Sequence, residues 1–191
     1  MNNQNLPLLE ERNPMNCDSF DDIKIAQASI EQMPILANLL ELYAYDFTEY
    51  WKFDIGDNGF YGYENLPLYW SDPNRYPYII YVKNKIAGLV MVQKGSPISD
   101  DKEIWDIAEF FILKKYKKQG IGTAVVQQIW KKFKGRWQVR VLVENEIACA
   151  FWLQAITKFI GKAPEKTVRH IKKDDWSADW FIYQFDTADL S

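Results

Sequence analysis

Histidine and cysteine are almost missing from this chain, which has a single His170 and only Cys17 and Cys149 among 191 residues. One histidine removes most zinc sites and Ser-His-Asp catalysis. Two cysteines without metal-ligand spacing exclude a disulfide scaffold and fit a reducing cytoplasm. No run of about 18 apolar residues occurs, so no membrane-spanning helix is expected. The first twenty residues hold no apolar segment behind basic ones, so no export signal is expected either. Positive charge is not in surplus: the net charge is -3 and the isoelectric point about 5.3, which gives no global argument for nucleic acid. The string Asp54-Ile55-Gly56-Asp57-Asn58-Gly59 has calcium-loop oxygens without the spacing or the closing glutamate. The protein is therefore expected in the cytoplasm, with no metal, no nucleic-acid partner and no membrane partner.

What is present suffices for one domain with a real core. Residues 1–20 are polar and contain Pro7 and Pro14, and read as a flexible N-terminal extension before a single domain at 21–191. A first strand is expected at 23–27. Ser29, Glu31 and Gln32 then start a helix with Ile35, Leu36, Leu39, Leu40 and Tyr43 on one face. Segments 78–82 and 87–92 flank Lys83-Asn84-Lys85 as a hairpin. A long strand at 104–113 leads into a helix at 120–133 that carries Val125, Val126, Ile129 and Trp130 and ends at Gly135. A strand at 137–143, a helix at 146–158 and two further strands at 162–171 and 180–185 complete an α/β (α+β) pattern.

Aromatic residues are concentrated, nearly half of them lying between Tyr43 and Tyr81 together with Asp46, Glu49, Asp54, Asp57, Glu64 and Asp72. The segment reads as a pocket lid that holds a cationic amine by carboxylates and cation–π contact, with Tyr43, Asp46, Glu49 and Tyr63 as candidate substrate contacts. The competing reading, a plain cover over the core, stays open.

The most informative stretch is Lys117-Lys118-Gln119-Gly120-Ile121-Gly122, where a basic turn with two glycines opens an amphipathic helix. Glycine permits close backbone approach, and the first helical turn leaves amides unpaired at the positive end of the dipole, so the turn suits a phosphate. A dinucleotide fingerprint would need a third glycine at Val125, and a P-loop would need a Gly-Lys-Ser/Thr ending. A merely tight strand-to-helix turn is the remaining alternative.

The same hexapeptide resembles the coenzyme A signature of the GCN5-related N-acetyltransferase (GNAT) family, Arg/Gln-x-x-Gly-x-Gly/Ala, with Lys117 in the first position. Asn145-Glu146-Ile147-Ala148, followed by Phe151-Trp152, matches the family's Asn-x-x-Ala motif. With Glu109-Phe110-Phe111-Ile112 and Trp137-Gln138-Val139, the chain looks like a bacterial subgroup of these acetyltransferases from residue 23 to residue 185. The resemblance implies a mostly antiparallel mixed sheet of six to seven strands, with the fourth and fifth splayed and about four helices around it. It implies acetyl-CoA as co-substrate. The pantetheine arm would pair with backbone near Phe111 and Ile112, the pyrophosphate would sit on Lys117 to Thr123, including Lys118, Gln119, Gly120, Ile121 and Gly122, and Asn145, Ala148 and Trp152 would lie along the arm.

By the same resemblance a small, cationic primary amine attacks the thioester directly, with no covalent enzyme intermediate. Glu109 and Asp106 are the candidate bases. Glu109 is preferred because its apolar strand should raise its pKa, and strict alternation puts the two carboxylates on opposite faces unless a bulge intervenes. Cys149 reads as an interior small hydrophobe. Many relatives protonate the leaving thiolate with a tyrosine where this chain has Trp152, which motivates an alternative: a GNAT-fold module that binds acyl-CoA or amine without turnover. Strands carrying Trp176, Trp180 and Phe181 could pair across a homodimer.

Overall fold

The structure is a computed structural model that describes residues 22–173 and 176–190. The expected N-terminal extension, residues 1–20, lies outside them, as do Cys17 and the side chain of Trp176. The elements are β1 (Ile23–Gln27), α1 (Met33–Phe47), α2 (Leu68–Ser71), β2 (Arg75–Val82), β3 (Lys85–Lys94), β4 (Trp105–Ile112), α3 (Ile121–Lys132), β5 (Arg136–Leu142), α4 (Glu146–Ile160), β6 (Glu165–Lys173) and β7 (Trp176–Asp186). They form a seven-stranded sheet in the order β1-β2-β3-β4-β5-β7-β6, antiparallel except between β4 and β5. This is the mixed sheet that the resemblance implies.

Local chemistry accounts for the strong boundaries. Lys83 and Asn84 both take positive φ, 49° and 60°, the conformation of a two-residue hairpin turn that matches strand twist and that asparagine adopts readily. The apolar period of α1 puts Leu36, Leu39 and Leu40 against Ile79, Leu89, Met91 and Phe111 on one sheet face. The opposite face packs Val125, Val126, Ile129 and Trp130 of α3 and Ala155 and Ile156 of α4 against Val90, Val139 and Tyr183. Each large side chain so buried contributes about 1.5–3 kcal/mol. β7 starts before the expected residue 180 because residues 176–179 pair with residues 170–173 of β6, and only residues 180–186 pair with β5.

Two features of β4 shape the centre. Met91 faces Glu109 but Val92 faces Ile107, so Ala108 is an extra residue, a β-bulge. The parallel pairing with β5 is limited to Trp105 opposite Trp137 and Asp106 opposite Gln138, after which the strands diverge. At the far end of β4 the backbone crosses close over Gly88, where any Cβ would come within 2.0 Å of the Phe111 carbonyl oxygen. Only glycine fits there.

Candidate active site

Divergence of β4 and β5 opens a pocket of about 340 Å³ between the sheet and the α1 side, with Glu109 and Arg140 in its wall. The bulge at Ala108 cancels the alternation that separates residues three apart. Asp106 and Glu109 therefore reach the same sheet face, where both act on Arg140.

The two carboxylates end in different surroundings. Asp106 is 0% exposed and does not line the pocket. Arg140 grips it with two hydrogen bonds of 3.0 Å, from Nε to Oδ1 and from Nη2 to Oδ2. Gln138 Nε2 adds a donor at 2.9 Å and Gln93 Nε2 one at 3.2 Å. Four donors on one carboxylate make it a locked counter-ion. Burial disfavours the Arg140 charge, but the Asp106 carboxylate outweighs this and raises the guanidinium pKa further. Glu109 is half-buried, lines the pocket, and accepts a hydrogen bond from Tyr63 Oη at 3.0 Å. Burial pushes its pKa up to about 7, against the opposing pull of Tyr63, Arg140 and Tyr43.

Tyr43 and Tyr63, expected as substrate contacts, both line the pocket. Asp46 does not: its Oδ1 pairs with Lys114 and its Oδ2 with Lys117, each at 3.1 Å, so it sits on the basic turn. Glu49 is exposed and lies outside the pocket. For Asp46 the reason is helical phase, since Tyr43 and Phe47 share the pocket-facing side of α1 and Asp46 falls off it, whereas Glu49 lies in the turn beyond the end of the helix. Glu41 accepts the backbone amides of Tyr61 and Gly62, each at 2.8 Å, and ties the aromatic loop to α1.

The proposed coenzyme residues divide in the same way. Leu113 N–H donates to the Ala87 carbonyl at 2.8 Å, so alternation along β4 directs the amides of Phe110 and Ile112 away from β3 into the opening, while the Phe111 amide faces β3. Lys118 and Gly120 take positive φ, 62° and 76°, in the turn before α3, and no side chain caps the helix. The first-turn amides of Ile121, Gly122 and Thr123 are thereby left for an anion. Gly122 admits the Phe151 ring, which a Cβ would approach to 3.2 Å. The Ile121 side chain is buried core, and Gln119 Nε2 donates to the Lys115 carbonyl. Asn145 caps α4 by accepting the Ala148 amide at 3.0 Å, and both residues line the pocket. Trp152 touches the pocket edge but is only 6% exposed, packed against Phe110, Phe151 and Trp130.

Arg140, Phe47, Phe53 and Trp180 line the site without having been expected there from sequence. Arg140 lies in an otherwise apolar alternating strand, where the in-register polar neighbours Gln138 and Arg140 are the signal available. Trp180, expected at an exposed edge, faces the pocket instead. Phe181 packs against the core and under Lys166, whose Nζ is 4.1 Å from its ring centroid. Burial raises the Cys149 pKa and its Sγ points at the Leu142 carbonyl, as suits an inert thiol. Among the described residues no three of His, Cys, Asp or Glu are grouped to hold a metal, and no helix is long and apolar enough to cross a membrane.

Solved structures share this architecture. An acetyltransferase from Thermus thermophilus aligns at 16% identity over 85% of this chain and 97% of its own, with a TM-score of 0.59. A spermidine N-acetyltransferase from Vibrio cholerae, solved with CoA and spermine, aligns at 13% identity over 88% and 97%, with a TM-score of 0.61. An aminoglycoside acetyltransferase from an uncultured soil metagenomic sample, solved with trehalose, aligns at 21% identity over 81% and 97%, with a TM-score of 0.57. At these identities the likeness speaks for the fold. No curated protein sequence matches the chain significantly. The profile of the acetyltransferase (GNAT) family matches residues 36–155, which span the glycine turn before α3, the splayed strands and the Asn145 cap, and the chain belongs to that family.

Proposed function

We propose that the protein is a cytoplasmic N-acetyltransferase that moves the acetyl group of acetyl-CoA to a primary amine of a small acceptor, with Glu109 as the base. The observation that carries this reading is Glu109 itself, an available carboxylate at the strand divergence whose pKa is pushed up to about 7. A base of that pKa is half ionised near neutrality and accepts a proton from an ammonium or through one water. Asp106, fixed by four donors, serves instead to hold Arg140 in the wall.

The chain's residues fit the coenzyme. Open amides of Phe110 and Ile112 suit the amide-bearing arm, and the uncapped α3 terminus with Lys117 and Lys118 suits the pyrophosphate. Three similar structures were solved with CoA or acetyl-CoA, by their descriptions. Bound acetyl-CoA supplies the activated acyl thioester. The Phe110 N–H, aimed into the opening, is placed to hold negative charge as it develops on the acyl oxygen. The aromatic wall of Tyr43, Phe47 and Phe53 excludes water and packs on the acceptor.

Trp152 supports a second reading, a binding module without turnover, since a buried indole has no proton for the leaving thiolate. General acid catalysis contributes about 10²–10⁴-fold, and a thiolate with a parent pKa of about 8.5 departs tolerably without it. Transfer therefore remains the favoured reading. Titration of acetyl-CoA by calorimetry, followed by amine-dependent thiol release, tests it: saturable binding with release is expected, binding without release from any amine favours the module, and absence of binding overturns both.

A further inference from the structure

The pocket carries an imbalance that bears on the acceptor: one available acid, and hydrogen-bond donors without partners. Of the acids expected in the lid, Asp46 is bound to Lys114 and Lys117, Glu41 to backbone amides and Asp72 to Arg75. Glu49, Asp54, Asp57 and Glu64 do not line the pocket. Among the described residues Glu109 is thus its only carboxylate, and a second ammonium on the acceptor would have no counter-charge.

The donors are on the neighbouring strands. A guanidinium has five N–H groups, and Arg140 gives two to Asp106 while 19% of its side chain stays exposed at the pocket wall. Trp180 lines the same pocket, and its Nε1–H is enclosed without an acceptor in the protein, so that a small turn of the indole presents it to a ligand. Arg140 faces Ile182 and Leu142 faces Trp180, so Arg140 and Trp180 are diagonal neighbours on one sheet face, about 7–8 Å apart at the backbone. A buried unpaired donor is costly, which favours a ligand that brings an oxygen. Glu109 lies close enough to Arg140 for each charge to act on the other, so a cationic nitrogen and an oxygen a few bonds apart would meet complementary groups. Phe47, Phe53 and Leu142 offer an apolar surface beside them.

We infer that the acceptor is an α-amino carbonyl compound with an apolar side chain: its amine at Glu109, its carbonyl or carboxylate oxygen at Arg140 and Trp180, its side chain on Phe47 and Phe53. Polyamines are excluded by this reading. The inference rests on the acetyltransferase reading, and its test separates the two. Leucinamide is compared with isoamylamine, and phenylalaninamide with phenethylamine, alongside the free amino acids and spermidine. Each amine is assayed by thiol release with acetyl-CoA and by calorimetric binding to the protein alone.

The oxygen-bearing member of each pair should be favoured by roughly 10–100-fold in kcat/KM and in affinity, the range for hydrogen bonds to a charged group. Trp180→Phe should raise KM several-fold more for oxygen-bearing acceptors than for their oxygen-free partners, narrowing the preference within each pair. Preference for the free acid over the amide would identify free amino acids, and the reverse would identify peptide N-termini. Equal handling within pairs, or spermidine as the best acceptor, would overturn the inference and leave the transferase reading intact. Absence of thiol release from every amine would defeat the transferase reading, and the binding comparison would still judge the pairs.

Discussion

Tyr63 donates its hydroxyl hydrogen to Glu109 Oε1 across 3.0 Å, linking the aromatic loop to the bulged centre of β4. The bond favours the ionised carboxylate and so opposes the burial that raises it. Turnover should therefore rise with pH through an inflection near the Glu109 pKa of about 7. Tyr63→Phe should move that inflection upward, and Glu109→Gln should abolish it together with most of the turnover while coenzyme affinity is retained. A pH profile of kcat/KM for the three proteins checks this, and an unchanged inflection in Tyr63→Phe would remove Glu109 from the role of base.

The same carboxyl makes stability depend on pH. Between the ordinary value of 4.5 and about 7, folded Glu109 keeps a proton that the unfolded chain has released. Its contribution is accordingly present at low pH and is lost as pH rises through that window, by about 3 kcal/mol. Thermal unfolding at about pH 5 and about pH 8 should show a smaller decline for Glu109→Gln than for the parent.

Breaking the Asp106–Arg140 pair should cost more. Asp106→Ala leaves a guanidinium without its partner in a site where Asp106 is 0% exposed, at about 3–5 kcal/mol, or a melting temperature lower by roughly 10 °C. A double-mutant cycle with Arg140→Met should recover part of the loss, because an apolar pair strands no charge.

At the basic turn before α3, Asp46 holds Lys114 and Lys117 at 3.1 Å each. Asp46→Asn frees both lysines, so the affinity for coenzyme A should increase roughly 3–10-fold at low salt and the gain should shrink at high salt. Gly120→Trp should abolish coenzyme binding without unfolding the protein. Calorimetric titration at two ionic strengths reads both variants.

The features that could be read from sequence are those written in local chemistry. Lys83-Asn84 announced its hairpin through turn propensity, and Gly120-Ile121-Gly122 its turn through glycine spacing. The bulge at Ala108 carries no such signature: it arises where β3 and β4 lose register, and it alone decides that Asp106 and Glu109 share a face. Asp46 meets Lys117 across 71 positions, a contact that only the packing of α1 beside the turn creates. For the same reason the acid-rich lid pattern misled: composition counted its carboxylates, but helical phase and competing lysines took them away from the pocket.

The two rungs that join β4 to β5, at Trp105–Trp137 and Asp106–Gln138, make the sheet resemble a zipper closed only at its foot. Above them the amides of Phe110 and Ile112 are directed away from β3 toward the gap, so an extended molecule with carbonyls of its own could pair with β4 as an eighth strand. On that view coenzyme binding is also a folding event for the upper half of the sheet. Amide exchange at Phe110 and Ile112 would then slow on binding, and the two halves of the sheet would stiffen as one.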